Sequence, residues 1–188
     1  MPEHAQDAIT EHLQAVAGVE AMLPDVADAA RAIVAAYEAG GQVLAFGNGG
    51  SAADAQHLAA ELVGRYLRDR RPLAAVSLST DPSVVTCIGN DYSFEDVFAR
   101  QVRALARADD VVVGITTSGR SENVVRGLAA ARERGATTVV LTGGDGVPAS
   151  DNADHALVVP SRTTARIQEM HLLILHLIVE QVDEWATA

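Results

Sequence analysis

The sequence predicts an α/β fold in which a parallel sheet of five strands is covered by helices on both faces. Three observations carry this. Apolar runs of strand length occur at residues 43–46, 74–78, 111–115, 138–141 and 156–159, and their near-continuous hydrophobicity suits strands buried on both faces. Most are separated by segments long enough for helices, and strands alternating with helices build parallel sheets. The chain has 188 residues, 48% of them hydrophobic and 4% aromatic, enough to bury one core of Ala, Val, Leu and Ile without staples. A single domain over residues 1–188 is expected.

Residues 1–40 read as two N-terminal helices, because polar and apolar residues recur at helical spacing over about 5–19 and 25–39, before Gly40-Gly41. Residues 41–160 then form the parallel core. Its first strand runs into Gly47-Asn48-Gly49-Gly50-Ser51, which opens an alanine-rich helix. Strand, glycine turn, helix is a phosphate-binding layout: glycines admit close approach and positive φ, and the free N–H groups of a helix start favour negative charge. On that helix His57 and Glu61 are four residues apart and share a face.

The third strand leads into Thr116-Thr117-Ser118-Gly119-Arg120-Ser121-Glu122-Asn123, with a helix starting near Glu122. A lone Ser there would be an ordinary N-cap, but a cluster of hydroxyls with a glycine can surround an oxyanion without any lysine. Crossovers should be right-handed, and ligands should sit at the carboxyl ends of the strands near a switch in strand order. Both turns lie there. Residues 161–188 form the last helix, with Ile167, Met170, Leu172, Leu173, Ile174, Leu175, Leu177, Ile178, Val179, Val182 and Trp185 at nearly every angle around it. One sheet face cannot cover such a helix, so the terminal helices are expected to form an oligomer interface.

Composition removes several function classes. All fourteen basic residues are Arg, which excludes a Schiff-base lysine and a Walker-type phosphate loop. A net charge of −11 argues against a nucleic-acid footprint. No apolar segment reaches the roughly 18 residues of a membrane helix. The single Cys87 cannot form an intramolecular disulfide, and the chain opens on the polar Met1-Pro2-Glu3-His4-Ala5-Gln6-Asp7, so a cytoplasmic location is expected.

The candidate metal ligands are His57, Glu61, Gln168 and His176. An imidazole and a carboxylate with a free coordination position suit zinc as a Lewis acid, whereas an isolated pair of this kind is ordinarily a solvated helix face. Gln168 and His176 are separated by about 12 Å of helix rise, at roughly 1.5 Å per residue. They either lean towards one ion, or serve different roles or different copies of the chain. His171, His155, His12 and His4 have no comparable spacing and read as structural or solvent-facing.

Gly47-Asn48-Gly49-Gly50-Ser51, His57-x-x-x-Glu61, Asn90-Asp91, Thr117-Ser118-Gly119-x-Ser121 and Arg166-Ile167-Gln168-Glu169 followed by His176 resemble the phosphoheptose isomerases of the sugar isomerase (SIS) domain superfamily, over nearly the whole chain. The resemblance implies a three-layer flavodoxin-like sheet and a homotetramer with active sites at subunit contacts. It also implies isomerisation of sedoheptulose 7-phosphate to D-glycero-D-manno-heptose 7-phosphate, with one zinc per subunit, as the first step of nucleotide-activated heptose synthesis. It assigns zinc to His57, Glu61, Gln168 and His176. Substrate falls to Asn48, Gly49, Gly50, Ser51, Glu61, Asn90, Asp91, Thr116, Thr117, Ser118, Ser121 and Gln168.

Within that assignment Glu61 is the base and His176 the acid of an enediol mechanism, since a carboxylate can take the proton beside the carbonyl and an imidazole can donate to oxygen. Coordination lowers the basicity of Glu61, so its metal bond is expected to be weak or replaced during turnover. Two departures from the family pattern stand out: Thr116 where many members have Ser, which keeps the hydroxyl, and Ala165 where some have Asp.

Two rivals come from other classes. A non-catalytic SIS protein that binds a replication initiator or senses a sugar phosphate would share Ser51-Ala52-Ala53 and Arg166-Ile167-Gln168-Glu169-Met170-His171, but is not expected to keep both Glu61 and His176. A dinucleotide site would use Gly47-x-Gly49-x-x-Ala52, but the acid that belongs at the end of the second strand, about 20 residues on, is replaced by Ser77-Leu78-Ser79-Thr80.

Overall fold

A computed structural model describes residues 3–188; Met1 and Pro2, the start of the polar N-terminal stretch, lie outside the described residues. One sheet of five parallel strands contains β1 (Val43–Gly47), β2 (Ala75–Ser77), β3 (Val111–Thr116), β4 (Thr137–Gly143) and β5 (His155–Val159), in the order β2-β1-β3-β4-β5. Around it lie α1 (Glu3–Ala21), α2 (Leu23–Glu38), α3 (Gly50–Val63), α4 (Pro82–Asp91), α5 (Val97–Leu105), α6 (Glu122–Glu133) and α7 (Thr164–Thr187).

Strand alternation sorts the core into two layers. Val43, Ala45, Val111, Val113, Ile115, Val139 and Leu141 face α2, α3 and α7. Leu44, Phe46, Val112 and Val140 face α5 and α6, where Phe46 stacks on Phe98 with ring centroids 4.7 Å apart. A Cβ at Gly127 would come within 2.6 Å of the Phe46 ring, so glycine is what lets α6 lie this close to the sheet.

The edge strand is shorter than the expected 74–78, yet Val43 donates to the Ala74 carbonyl and Leu78 to the Ala45 carbonyl. Pairing therefore spans the whole predicted run. In contrast, β4 continues to Gly143, and only a short 3-10 turn, Ser150–Asn152, joins it to β5. The apolar run ended at residue 141 in the sequence because Thr142 and Gly143 are not hydrophobic, but both are buried.

The strand order reverses between β1 and β3. Gly47 pairs in register with Ile115, so the turns that follow these strands stand side by side at the carboxyl edge, the position where open α/β sheets bind ligands. Helix α7 is buried along one side by Ile167, Met170, Ile174, Leu175, Ile178, Val179 and Val182, while Leu172, Leu173 and Leu177 are only half-buried. On α1, Ile9 and Leu13 are 57% and 64% exposed. No helix among the described residues is long and apolar enough to cross a membrane.

Candidate active site

The glycine turn is shaped by close contacts. Gly49 has φ of 57°, in the region that favours glycine. A Cβ at Gly47 would meet the Ser51 and Ile115 carbonyl oxygens at 2.7 and 2.8 Å, and one at Gly50 would meet Gln168 Nε2 at 2.5 Å. Gln168 thus lies against the turn itself.

Three side chains from two helices converge nearby. His57 Nε2 lies 3.0 Å from Glu61 Oε1 and 3.1 Å from His176 Nε2, and His176 Nε2 lies 3.6 Å from Glu61 Oε1. The i,i+4 spacing on α3 aligns the first pair, and the packing of α7 on α3 delivers the third. His57 is the open side of the cluster, with 42% of its side chain exposed against 13% for Glu61. Glu61 Oε2 is buried and has no hydrogen-bond partner. Two imidazole nitrogens and a carboxylate oxygen within one small volume form a candidate metal centre. The ring of Tyr66 stacks on His176, with centroids 5.2 Å apart and planes at 13°. One turn before His57, Asp54 is half-buried with Oδ2 unpartnered, and burial raises its carboxyl pKa.

The hydroxyl turn forms a second cluster. Thr116 Oγ1 lies 3.0 Å from Ser121 Oγ and 3.5 Å from Ser118 Oγ, and Ser118 Oγ accepts the Arg120 N–H at 3.1 Å. Thr117, Ser118, Arg120, Arg162 and Thr164 help line a cavity of about 250 Å³. A separate cavity of about 170 Å³ opens beside Gly47, Asn48 and Gly49. The two turns are clamped together by reciprocal amide hydrogen bonds between Asn48 and Asn123, at 2.8 and 2.9 Å.

Asn90 and Asp91 sit exposed at the end of α4, where Asn90 Nδ2 donates to Asp91 Oδ1 at 2.7 Å, and neither bonds to the other candidates among the described residues. Of the four remaining histidines, His171 is fully buried: its Nε2 lies 3.2 Å from the Thr142 carbonyl, and burial lowers its pKa to about 4. His12 Nδ1 contacts Glu169 at 2.7 Å.

Tyr66 and Asp54 escaped the sequence reading. Asn123 closes the hydroxyl-rich motif 116–123, but its amide contact with Asn48 carried no signal in that motif. A tyrosine after a helix carries no comparable signal, because its partner is 110 positions away.

The SIS domain family profile matches residues 6–143. The phosphoheptose isomerase of Aquifex aeolicus (strain VF5) is 52% identical over 169 residues, 90% of this chain and 88% of that protein. Among solved structures, a phosphoheptose isomerase from Neisseria gonorrhoeae is 43% identical with a TM-score of 0.90, covering 97% of this chain and 98% of that one. One from Francisella tularensis is 37% identical with a TM-score of 0.93, covering 97% of each chain.

Proposed function

The chain belongs to the phosphoheptose isomerases of the SIS domain family, and from this we propose that it isomerises sedoheptulose 7-phosphate to D-glycero-D-manno-heptose 7-phosphate, the first step of nucleotide-activated heptose synthesis. The observation that carries the reading is the convergence of Glu61 with two imidazoles at the same sheet edge as a hydroxyl-rich helix start. One group supplies acid–base chemistry beside a carbonyl, and the other an oxyanion cradle.

The reaction breaks the C1–H bond of the ketose. Glu61 takes that proton, the electron pair forms the C1–C2 double bond of the enediol, and the former carbonyl oxygen accepts a proton from His176. As the aldehyde forms, the O1 proton passes to His176, and Glu61 delivers its proton, exchangeable with solvent, to C2, which restores both side chains. Thr116, Thr117, Ser118 and Ser121 hold the phosphate, while Asn48, Gly49, Gly50, Ser51, Asn90, Asp91 and Gln168 hold the sugar, fixing C1 and C2 against the base.

Zinc, one per subunit, fits the donor set. His57, Glu61 and His176 would hold it through two nitrogens and an oxygen, with Gln168 as the fourth ligand, and its positive charge would stabilise the developing enediolate. Oε1 of Glu61 faces the imidazoles, and a weak or displaced metal bond would leave that carboxylate free to take the proton.

The proposal includes a homotetramer with sites at subunit contacts, supported by exposed Ile9 and Leu13 on α1 and the half-buried leucines of α7. It also includes a single domain over residues 1–188, a cytoplasmic location, and no nucleic-acid or membrane partner, in keeping with the net charge of −11.

The deciding test is proton NMR of zinc-supplemented protein with sedoheptulose 7-phosphate in deuterated buffer. An aldoheptose 7-phosphate carrying deuterium at C2 is expected. Binding of the sugar phosphate without conversion would replace the enzyme with a sensor.

A further inference from the structure

The segment between α3 and β2 is held by a buried ion pair that reaches both helices of the active site. The Arg70 side chain is 0% exposed and Asp183, on α7, 1%. Arg70 Nε donates to Asp183 Oδ1 at 2.8 Å. Its remaining nitrogens donate to the Glu61 and Leu62 carbonyls, each at 2.7 Å, and to the Arg71 carbonyl at 3.0 Å. The Glu61 and Leu62 carbonyls lie in the last turn of α3, where helix carbonyls lack intrahelical donors. Asp183 Oδ2 accepts the Leu67 and Arg68 N–H groups, each at 3.1 Å. Tyr66, the next residue back along the chain, is the ring stacked on His176.

We infer that Arg70 and Asp183 are positioning residues: their ion pair braces the 64–72 segment so that Tyr66 orients the His176 imidazole while Arg70 fixes the backbone of Glu61. The brace touches the candidate base directly at its carbonyl and the candidate acid through one aromatic ring. It also ties the end of α3 to α7, the two helices that bring His57, Glu61 and His176 together. A buried pair serving stability alone could be replaced by apolar groups at little cost. Here the fork of Arg70 spans two helices, a geometry that lysine cannot reproduce.

The inference rests on the isomerase reading for its functional consequences, so its test includes a readout independent of zinc and turnover. The variants are Arg70→Lys, Tyr66→Ala and Tyr66→Phe, each checked for folding by circular dichroism. In metal-free protein, the His176 Hε1–Cε1 NMR signal reports the ring current of Tyr66. It is expected to move in Tyr66→Ala and to move the same way in Arg70→Lys, while staying near its wild-type position in Tyr66→Phe.

Zinc affinity by chelator competition and kcat are expected to fall in Tyr66→Ala and Arg70→Lys by roughly 10–100-fold, the usual effect of groups that orient ligands, with KM nearly unchanged. A folded Arg70→Lys protein whose His176 signal stays in place would overturn the brace. A brace signal that moves as expected in a protein that neither binds zinc nor isomerises the sugar would instead overturn the functional reading.

Discussion

Helix α7 meets the α3 region at two polar places that are built on opposite terms. At the first, His57, Glu61 and His176 crowd together, partly open to solvent, with Glu61 Oε2 buried and unpartnered. At the second, seven residues further along α7, Arg70 and Asp183 are sealed from solvent and both oxygens of Asp183 are hydrogen-bonded. A satisfied buried network holds structure together, whereas an unsatisfied one leaves interaction energy for a ligand. The contrast separates scaffold from site on physical grounds.

The sharpest way to break this comparison is to alter the open cluster. Glu61→Gln is expected to lower kcat by about 10²–10⁴-fold, the range for loss of a positioned base, while urea denaturation finds the metal-free protein no less stable than wild type. A large loss of stability would mean that Glu61 belongs to the scaffold after all.

Asp183→Ala is the mirror experiment. Removing one partner of a buried ion pair costs about 3–5 kcal/mol, and here it would leave Arg70 and the Leu67 and Arg68 N–H groups without their acceptor. Urea denaturation measures this directly; a cost below that of an ordinary surface change would defeat the distinction.

A third polar group on α7, His171, sharpens the comparison through pH. Its folded pKa of about 4 lies below the ordinary 6.5, so the unfolded chain binds the extra proton between those values. The stabilisation is complete above about pH 6.5 and is lost as pH falls through that window, up to about 3 kcal/mol. A His171→Leu variant should show a shallower loss between pH 6.5 and 4 in urea denaturation, and an unchanged slope would reject the assignment.

Much of the fold was legible because its signals are local. Residues 43–46 and 111–115 are hydrophobic enough to announce strands buried on both faces. The serine and threonine cluster at 116–121 marked a helix start, and Thr116, Ser118 and Ser121 do converge on one another. The two ends of β4 were harder to read: Thr137, Thr142 and Gly143 extend it, and neither threonine nor glycine announces burial. Gln168 and His176 were left between two readings by their separation along α7. The fold sets His176 beside His57 and, two turns earlier on α7, Gln168 against Gly50.

The sequence by itself determined which residues share a face or a turn: His57 with Glu61, the glycines after β1, the hydroxyls after β3, and the apolar breadth of α7. These follow from fixed backbone geometry over a few residues. Only the tertiary structure decided that His57 meets His176 across 119 positions, Asn48 meets Asn123 across 75, and Arg70 meets Asp183 across 113. Such pairings depend on where two elements cross and how closely they pack, and periodicity along one element does not specify the other.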